Sequence, residues 1–311
     1  MNKMFFESAL TGKNAFWRYL VMFVVVFAVT NTIGALPLIL VIVMKGLANP
    51  ELLDTTSENL MDLSIYGIDS NTGLVLMIFP FIVGLITLFL LMKPLHGRTL
   101  KSLFNGGGNI RWKKFFISAF VWMLLMGIYL FISIQNDPDN FTLNNTSKSL
   151  IWLIVIAVLM IPFQTTFEEL LFRGYLMQGA GAWFRNKWMP LLITALFFGL
   201  LHSFNPEIKE YGFWTMMPQY ILYGLVFGLI TILDNGIEIA MGAHAANNVF
   251  LSIFVTQKSS ALQTAAIYEQ QEVYPWNDFL SLLAVSVVFV AIMLLLNKWR
   301  FRGLFRLNFD S

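Results

Sequence analysis

The chain has no cysteine, which excludes disulfides, thiolate-bound metals and a cysteine nucleophile. It is also short of charge. Only 12% of its 311 residues are Asp, Glu, Lys or Arg, against about a quarter in an ordinary soluble domain. There is no internal repeat of the kind that marks many transporters, no G-x-S-x-G elbow and no HExxH helix. Gly106, Gly107 and Gly108 lack the Lys-Ser/Thr of a phosphate loop and read as a flexible turn. A net charge of +2 gives no reason to expect a nucleic-acid partner. What the chain has instead is apolar residues: 57% are hydrophobic and 15% aromatic, the composition of an integral membrane protein.

A bilayer-spanning helix needs about 20 mainly apolar residues. Eight stretches qualify: 19–44, 73–92, 115–134, 150–172, 189–204, 214–233, 237–255 and 278–297. They leave no room for a soluble domain, so residues 1–311 are expected to form a single all-α, polytopic bundle. The first stretch is too long for a signal-peptide core and reads as an uncleaved anchor. It contains Asn31, Gly34 and Pro37, which predict a kink. Pro80 and Pro162 predict kinks in the second and fourth. Gly224 and Gly228 predict close helix packing in the sixth.

Basic residues cluster before the first stretch (Lys3, Lys13, Arg18), in the second connection (Lys93 to Lys114), in the fourth (Arg173, Arg185, Lys187) and after the eighth (Lys298, Arg300, Arg302, Arg306). The first connection carries Glu51, Asp54, Glu58, Asp62 and Asp69, and the third Asp137 and Asp139. By the positive-inside rule both termini are cytoplasmic. The sixth connection, with Asp234 and Glu238 and no Lys or Arg, goes against the pattern. Asn140 and Asn145 fit glycosylation sequons in the third connection. His96 lies in a basic loop and reads as a solvated surface residue. In a prokaryote the expected location is the plasma (inner) membrane, with the lipid bilayer as a partner.

Ionisable groups in hydrocarbon cost about 2.5–3.5 kcal/mol each on insertion scales and are rarely kept without a role. Three apolar stretches keep them, in EELLFR (Glu168, Glu169, Arg173), FGLLH (Phe198, His202) and HAANN (His244, Asn248). Residues four apart share a helix face, so Glu169 can pair with Arg173, Phe198 lies beneath His202, and His244 projects with Asn248. Glu168 points about 100° away from Glu169 and stays free. The small residues Gly242, Ala243, Ala245 and Ala246 leave room around His244 for a close helix or a cavity. If three helices met, Glu168 could activate a water, and His202, His244 and Asn248 could hold it and stabilise an oxyanion. Glu168, His202 and His244 could instead bind a divalent metal such as zinc. Counted from the cytoplasmic ends at about 1.5 Å per residue, Glu168 lies roughly 15 Å deep, His202 roughly 22 Å and His244 roughly 12 Å. Some tilt is needed to bring them level.

In this order, each on its own apolar segment, the three motifs resemble the CAAX protease and bacteriocin-processing family of intramembrane endopeptidases. The pattern EExxxR, FxxxH, HxxxN is matched by Glu168, Glu169 and Arg173, by Phe198 and His202, and by His244 and Asn248. The resemblance covers about residues 150–255. It implies that Glu168 is the water-activating base, that His202, His244 and Asn248 complete the catalytic site, and that Glu169 and Arg173 are mainly structural. Eukaryotic members cleave three residues from prenylated CAAX tails through a cavity open to the cytosol, so a cytoplasmic opening is expected here. The substrate would be a membrane-associated peptide or protein tail, with no cofactor required if the carboxylate works alone. Two other classes fit the same residues: a proton-coupled small transporter in which Glu168 and the histidines relay protons, and a non-catalytic membrane immunity or scaffold protein.

Overall fold

A computed structural model describes residues 5–53, 62–144 and 147–299. Lys3, Asp54, Glu58, Asn145, Arg300, Arg302 and Arg306 lie outside the described residues. An apolar helix occupies each of the eight expected places: Phe16–Asn31 continued by Leu36–Ala48, Ser70–His96, Trp112–Asn136, Ser147–Glu169 continued to Phe184, Trp188–Leu201, Phe213–Asp234, Glu238–Phe254 and Pro275–Asn297. These are numbered first to eighth below.

Among the described residues, six of the eight are long and apolar enough to cross a membrane. The fifth has only 14 residues and the seventh 17. The fifth stops at Leu201, three residues short of expectation, because Pro206 opens a separate short helix, Pro206–Tyr211, and holds Asn205 extended. The outward faces of the long helices carry Phe131, Trp152, Leu159 and Val287, all more than half exposed, as lipid-facing side chains should be. The chain is a multi-pass integral membrane protein.

The first helix breaks at 32–35, where expected. There Gly34 lies so close to the second helix that a Cβ would sit 2.7 Å from the Cα of Pro80. Gly224 approaches the fifth helix in the same way, its Cβ position 2.7 Å from the Cα of Ala195. Gly242 lets the seventh helix lie against the third, where any Cβ would overlap the Phe115 carbonyl and the Ser118 hydroxyl. The small residues around His244 thus serve close packing on one side.

The two ends of the bundle differ. At one end Arg111 pairs with Asp234 at 2.9 Å and also with Glu238, Lys114 pairs with Asp234, and Phe5 N donates to Asn235 Oδ1 at 2.8 Å. Trp299, after the eighth helix, donates to Asp234 at 3.0 Å. Those contacts put both ends of the described chain beside the second and sixth connections, at one end of the bundle. They also account for the acidic sixth connection, whose carboxylates are partners of the basic second. By the positive-inside rule this end is cytoplasmic.

The opposite end gathers the third, fifth and seventh connections. Strands β1 (Phe141–Leu143), β2 (Val255–Thr256) and β3 (Tyr268–Gln270) form a small sheet there in the order β1-β3-β2, antiparallel then parallel. No strand was expected from the sequence. Asn140 is buried beside this sheet, and its amide is consumed by Glu272 O at 3.0 Å, Gln271 N at 3.1 Å and Glu272 N at 2.7 Å. Its sequon is therefore not presented to solvent.

His96 also corrects the sequence reading. It is fully buried, with Nδ1 2.7 Å from Lys13 O and Nε2 2.7 Å from the Tyr175 hydroxyl. The N-terminal segment folds over it and supplies the partner that a loop position would otherwise take from water.

Candidate active site

The fourth helix is the scaffold. It runs α-helical to Glu169, widens into a π-helical stretch, Leu170–Leu176, and resumes over Met177–Phe184. Wide turns of this kind are rare and concentrate at functional sites. The two glutamates sit just before it. Glu169 Oε1 accepts from Arg173 NH1 at 2.8 Å and from His244 Nδ1 at 2.8 Å. Arg173 is 1% exposed; its other guanidinium nitrogen donates to Tyr223 O at 3.3 Å, and its plane lies 4.5 Å from the Phe198 ring centroid. The expected Glu169–Arg173 pair is present, and it also fixes the seventh helix through His244.

Glu168 is free of the arginine, as the helical angle requires. Its Oε1 takes a long hydrogen bond of 3.4 Å from Gln164 Nε2, and its Oε2 lies 3.6 Å from His244 Nε2. In the tautomer that donates from Nδ1 of His244 to Glu169, Nε2 carries a lone pair. Two acceptors therefore face each other across 3.6 Å, a separation suited to a bridging donor rather than a direct bond.

His202 caps the fifth helix. Its Nδ1 lies 2.7 Å from Phe198 O, which can only accept, so the hydrogen is on Nδ1 and the Nε2 lone pair is free. The ring is held between Phe198, at 4.5 Å between centroids, and Tyr220, stacked at 4.5 Å and 23°. His202 lines the same cavity as Glu168 and His244.

Asn248 is oriented by its neighbour. The Trp122 indole can only donate, and it meets Asn247 Oδ1 at 3.2 Å, with the Tyr223 hydroxyl on the same oxygen at 3.0 Å. That assigns Asn247 Nδ2 to Asn248 Oδ1, at 3.0 Å, and leaves the Asn248 amide hydrogens to point elsewhere. Spacing within the HAANN motif singled out Asn248. It gave no sign that Asn247, on another face, would set it.

Glu168, Phe198, His202, His244 and Asn248 all line one cavity of about 320 Å³. The rest of its lining comes from the third, fourth, sixth, seventh and eighth helices, Tyr129, Tyr220, Phe250 and Asp278 among them, and from the third, fifth and seventh connections, which supply Phe141, Glu207, Ser260 and Gln270. None comes from the second, fourth or sixth connection. The cavity is therefore built toward the sheet-bearing end, opposite the basic end, so the positive-inside rule and the expected cytoplasmic opening disagree. Glu207 was not singled out in the sequence; burial pushes its carboxyl above the ordinary carboxylate range. Glu168, His202 and His244 would be the metal ligands if an ion were bound. Among the described residues no three such side chains converge closely enough to hold one.

No solved structure matches this chain. An uncharacterised protein of Bacillus subtilis, YyaK, is 29% identical over 296 residues, 94% of this chain and 96% of the relative. The likeness thus extends over nearly all the helices. Residues 147–250, which hold every motif residue named above, match the family described as type II CAAX prenyl endopeptidase Rce1-like.

Proposed function

We propose that this protein is an intramembrane endopeptidase that hydrolyses peptide bonds of membrane-associated peptides or protein tails with a water activated by Glu168. The observation that carries the reading is the 3.6 Å approach of Glu168 Oε2 to His244 Nε2, two acceptors in the wall of one cavity. A water between them satisfies both by donating one hydrogen to each. Glu169 and Arg173 keep His244 in the tautomer this needs.

The water oxygen attacks the peptide carbonyl carbon as Glu168 takes one of its protons. The carbonyl oxygen becomes an oxyanion, toward which the Asn248 amide hydrogens are free to donate. The C–N bond then breaks, Glu168 returns the proton to the leaving amine, and a carboxylic acid and an amine depart. His202, with its own Nε2 lone pair, helps to orient the water. If Glu168, His202 and His244 closed around zinc they would be its ligands, and the ion would supply Lewis-acid activation of the same water.

The test is cleavage of a membrane peptide library by purified protein in lipid nanodiscs. Glu168→Gln is expected to lose about 10²–10⁴-fold in rate, with wild-type activity insensitive to chelator. Unchanged cleavage by Glu168→Gln refutes the role of that carboxylate. Loss of wild-type activity with chelator, restored by zinc, assigns the water to a metal. Solute or proton flux that Glu168→Gln blocks, with no cleavage, makes the protein a carrier.

A further inference from the structure

The cavity holds a second carboxylate that the hydrolytic steps do not use. Glu207, on the short Pro206–Tyr211 helix of the fifth connection, is only 8% exposed. Its Oε1 accepts from Ala261 N at 2.9 Å, which ties the fifth connection to the seventh, and its Oε2 has no hydrogen-bond partner. A buried carboxylate oxygen left unpaired is costly, and a cation is the partner that relieves it best. The surroundings supply none. Among the described residues the cavity is lined by three acids, Glu168, Glu207 and Asp278, and by no Lys or Arg. Asp278 is partnered by the Tyr129 hydroxyl at 2.9 Å, so Glu207 is the acid outside the catalytic set with an unsatisfied oxygen.

Its position relates it to the reacting groups. Tyr220, which stacks on His202, accepts at its hydroxyl from Asn205 at 3.0 Å and turns its own O–H toward the Glu207 carboxyl as a weak donor, so the carboxyl keeps room for a stronger one. Glu207 thus stands one aromatic ring beyond the imidazole that faces Glu168. Burial holds the empty carboxyl toward its neutral form, so the cavity need not carry an uncompensated charge before a ligand arrives.

We propose that the cavity selects its substrate by a positively charged nitrogen, a Lys or Arg side chain or a free N-terminal amine near the scissile bond, seated against Glu207. The inference deepens the endopeptidase reading and rests on it for the word substrate, but the cation site itself does not require cleavage. A cavity with three acids and no Lys or Arg is a poor receptor for the free carboxylate of a short C-terminal tail, and a good one for an internal basic segment.

The probe is an apolar, N-acetylated and C-amidated peptide series with a single Lys, norleucine or Glu moved along the chain. Binding is measured to full-length Glu168→Gln protein in nanodiscs, where nothing is turned over. At one position or a few adjacent ones Lys is expected to bind at least about tenfold more tightly than norleucine, and Glu more weakly than both. Adding Glu207→Gln, which keeps an oxygen for Ala261 N, should bring the Lys-to-norleucine ratio near one, and Glu207→Asp should keep part of it. The same peptides without the acetyl group distinguish a terminal amine from a side chain. Equal binding of Lys and norleucine at every position and with either N-terminus overturns the proposal, as does a preference that survives Glu207→Gln. A Glu207-dependent preference in a wild type that cuts none of these peptides upholds the cation site and counts against the protease reading. Cleavage without such a preference does the reverse.

Discussion

Glu168 and Glu169 are adjacent in sequence, and the structure predicts opposite fates for them on conversion to glutamine. Glu169→Gln removes the only carboxylate among the described residues bonded to Arg173, which is 1% exposed, and weakens the hold on His244 Nδ1. Breaking a buried pair by removing one charge costs about 3–5 kcal/mol. Glutamine keeps an acceptor oxygen, so the loss should fall near the lower end, about 3 kcal/mol. Glu168→Gln gives up only a 3.4 Å bond from Gln164, which is worth about 1 kcal/mol or less. Thermal unfolding in detergent, followed by the fluorescence of the nine tryptophans, should therefore show a midpoint lower by roughly 5–10 °C for Glu169→Gln and within about 3 °C of wild type for Glu168→Gln. The double substitution Glu169→Gln/Arg173→Met removes the stranded guanidinium and should recover part of the loss. Equal shifts for the two single variants, or no recovery in the double, would refute the division of labour argued here.

Two further outcomes test the architecture. Asp69 caps the second helix, accepting from Asn71 N at 3.1 Å, Thr72 N at 3.0 Å and the Thr72 hydroxyl at 2.6 Å. Asp69→Ala should cost about 1 kcal/mol at neutral pH. The Thr72 hydroxyl holds the Asp69 carboxyl below its ordinary range, so this contribution is full above the unfolded-state value and is lost as pH falls through the depressed one; the wild-type and Asp69→Ala unfolding midpoints should converge at strongly acidic pH. Because the chain has no cysteine, single introduced thiols report sidedness without background. In intact cells a membrane-impermeant maleimide should label Ser260→Cys, in the cavity lining, and should label Asn109→Cys, in the second connection, only after lysis. The reverse pattern would put the cavity mouth in the cytoplasm.

Local spacing made much of the site legible. The interval of four residues foretold the Glu169–Arg173 bond and the contact of Phe198 with His202, because both lie within one helix and need no knowledge of what packs around it. The apolar runs located the helices for the same reason. What the sequence hid is nonlocal. His96 was misread because the Lys13 carbonyl and Tyr175 hydroxyl that bury it lie far away in the chain. Asn247 and Glu207 escaped notice because their roles come from Trp122 and Ala261, partners on other segments. The connections that close the cavity were hidden because the motif residues lie mid-helix and do not reveal what packs beyond their ends. That is settled by Pro206, which ends the fifth helix early, and by the strands that join the third and seventh connections.

Those strands carry a consequence for how the cavity meets its surroundings. Backbone bonds between Phe141–Leu143, Tyr268–Gln270 and Val255–Thr256 owe nothing to lipid, whereas the tilts of the long helices answer to bilayer thickness. Phe141, Val255, Thr256 and Gln270 bring those strands to the cavity wall, so one side of its mouth is fastened by backbone while the helices around it can lean. Thinning or thickening the bilayer is therefore expected to alter the slant of the helices more than the spacing of these four residues.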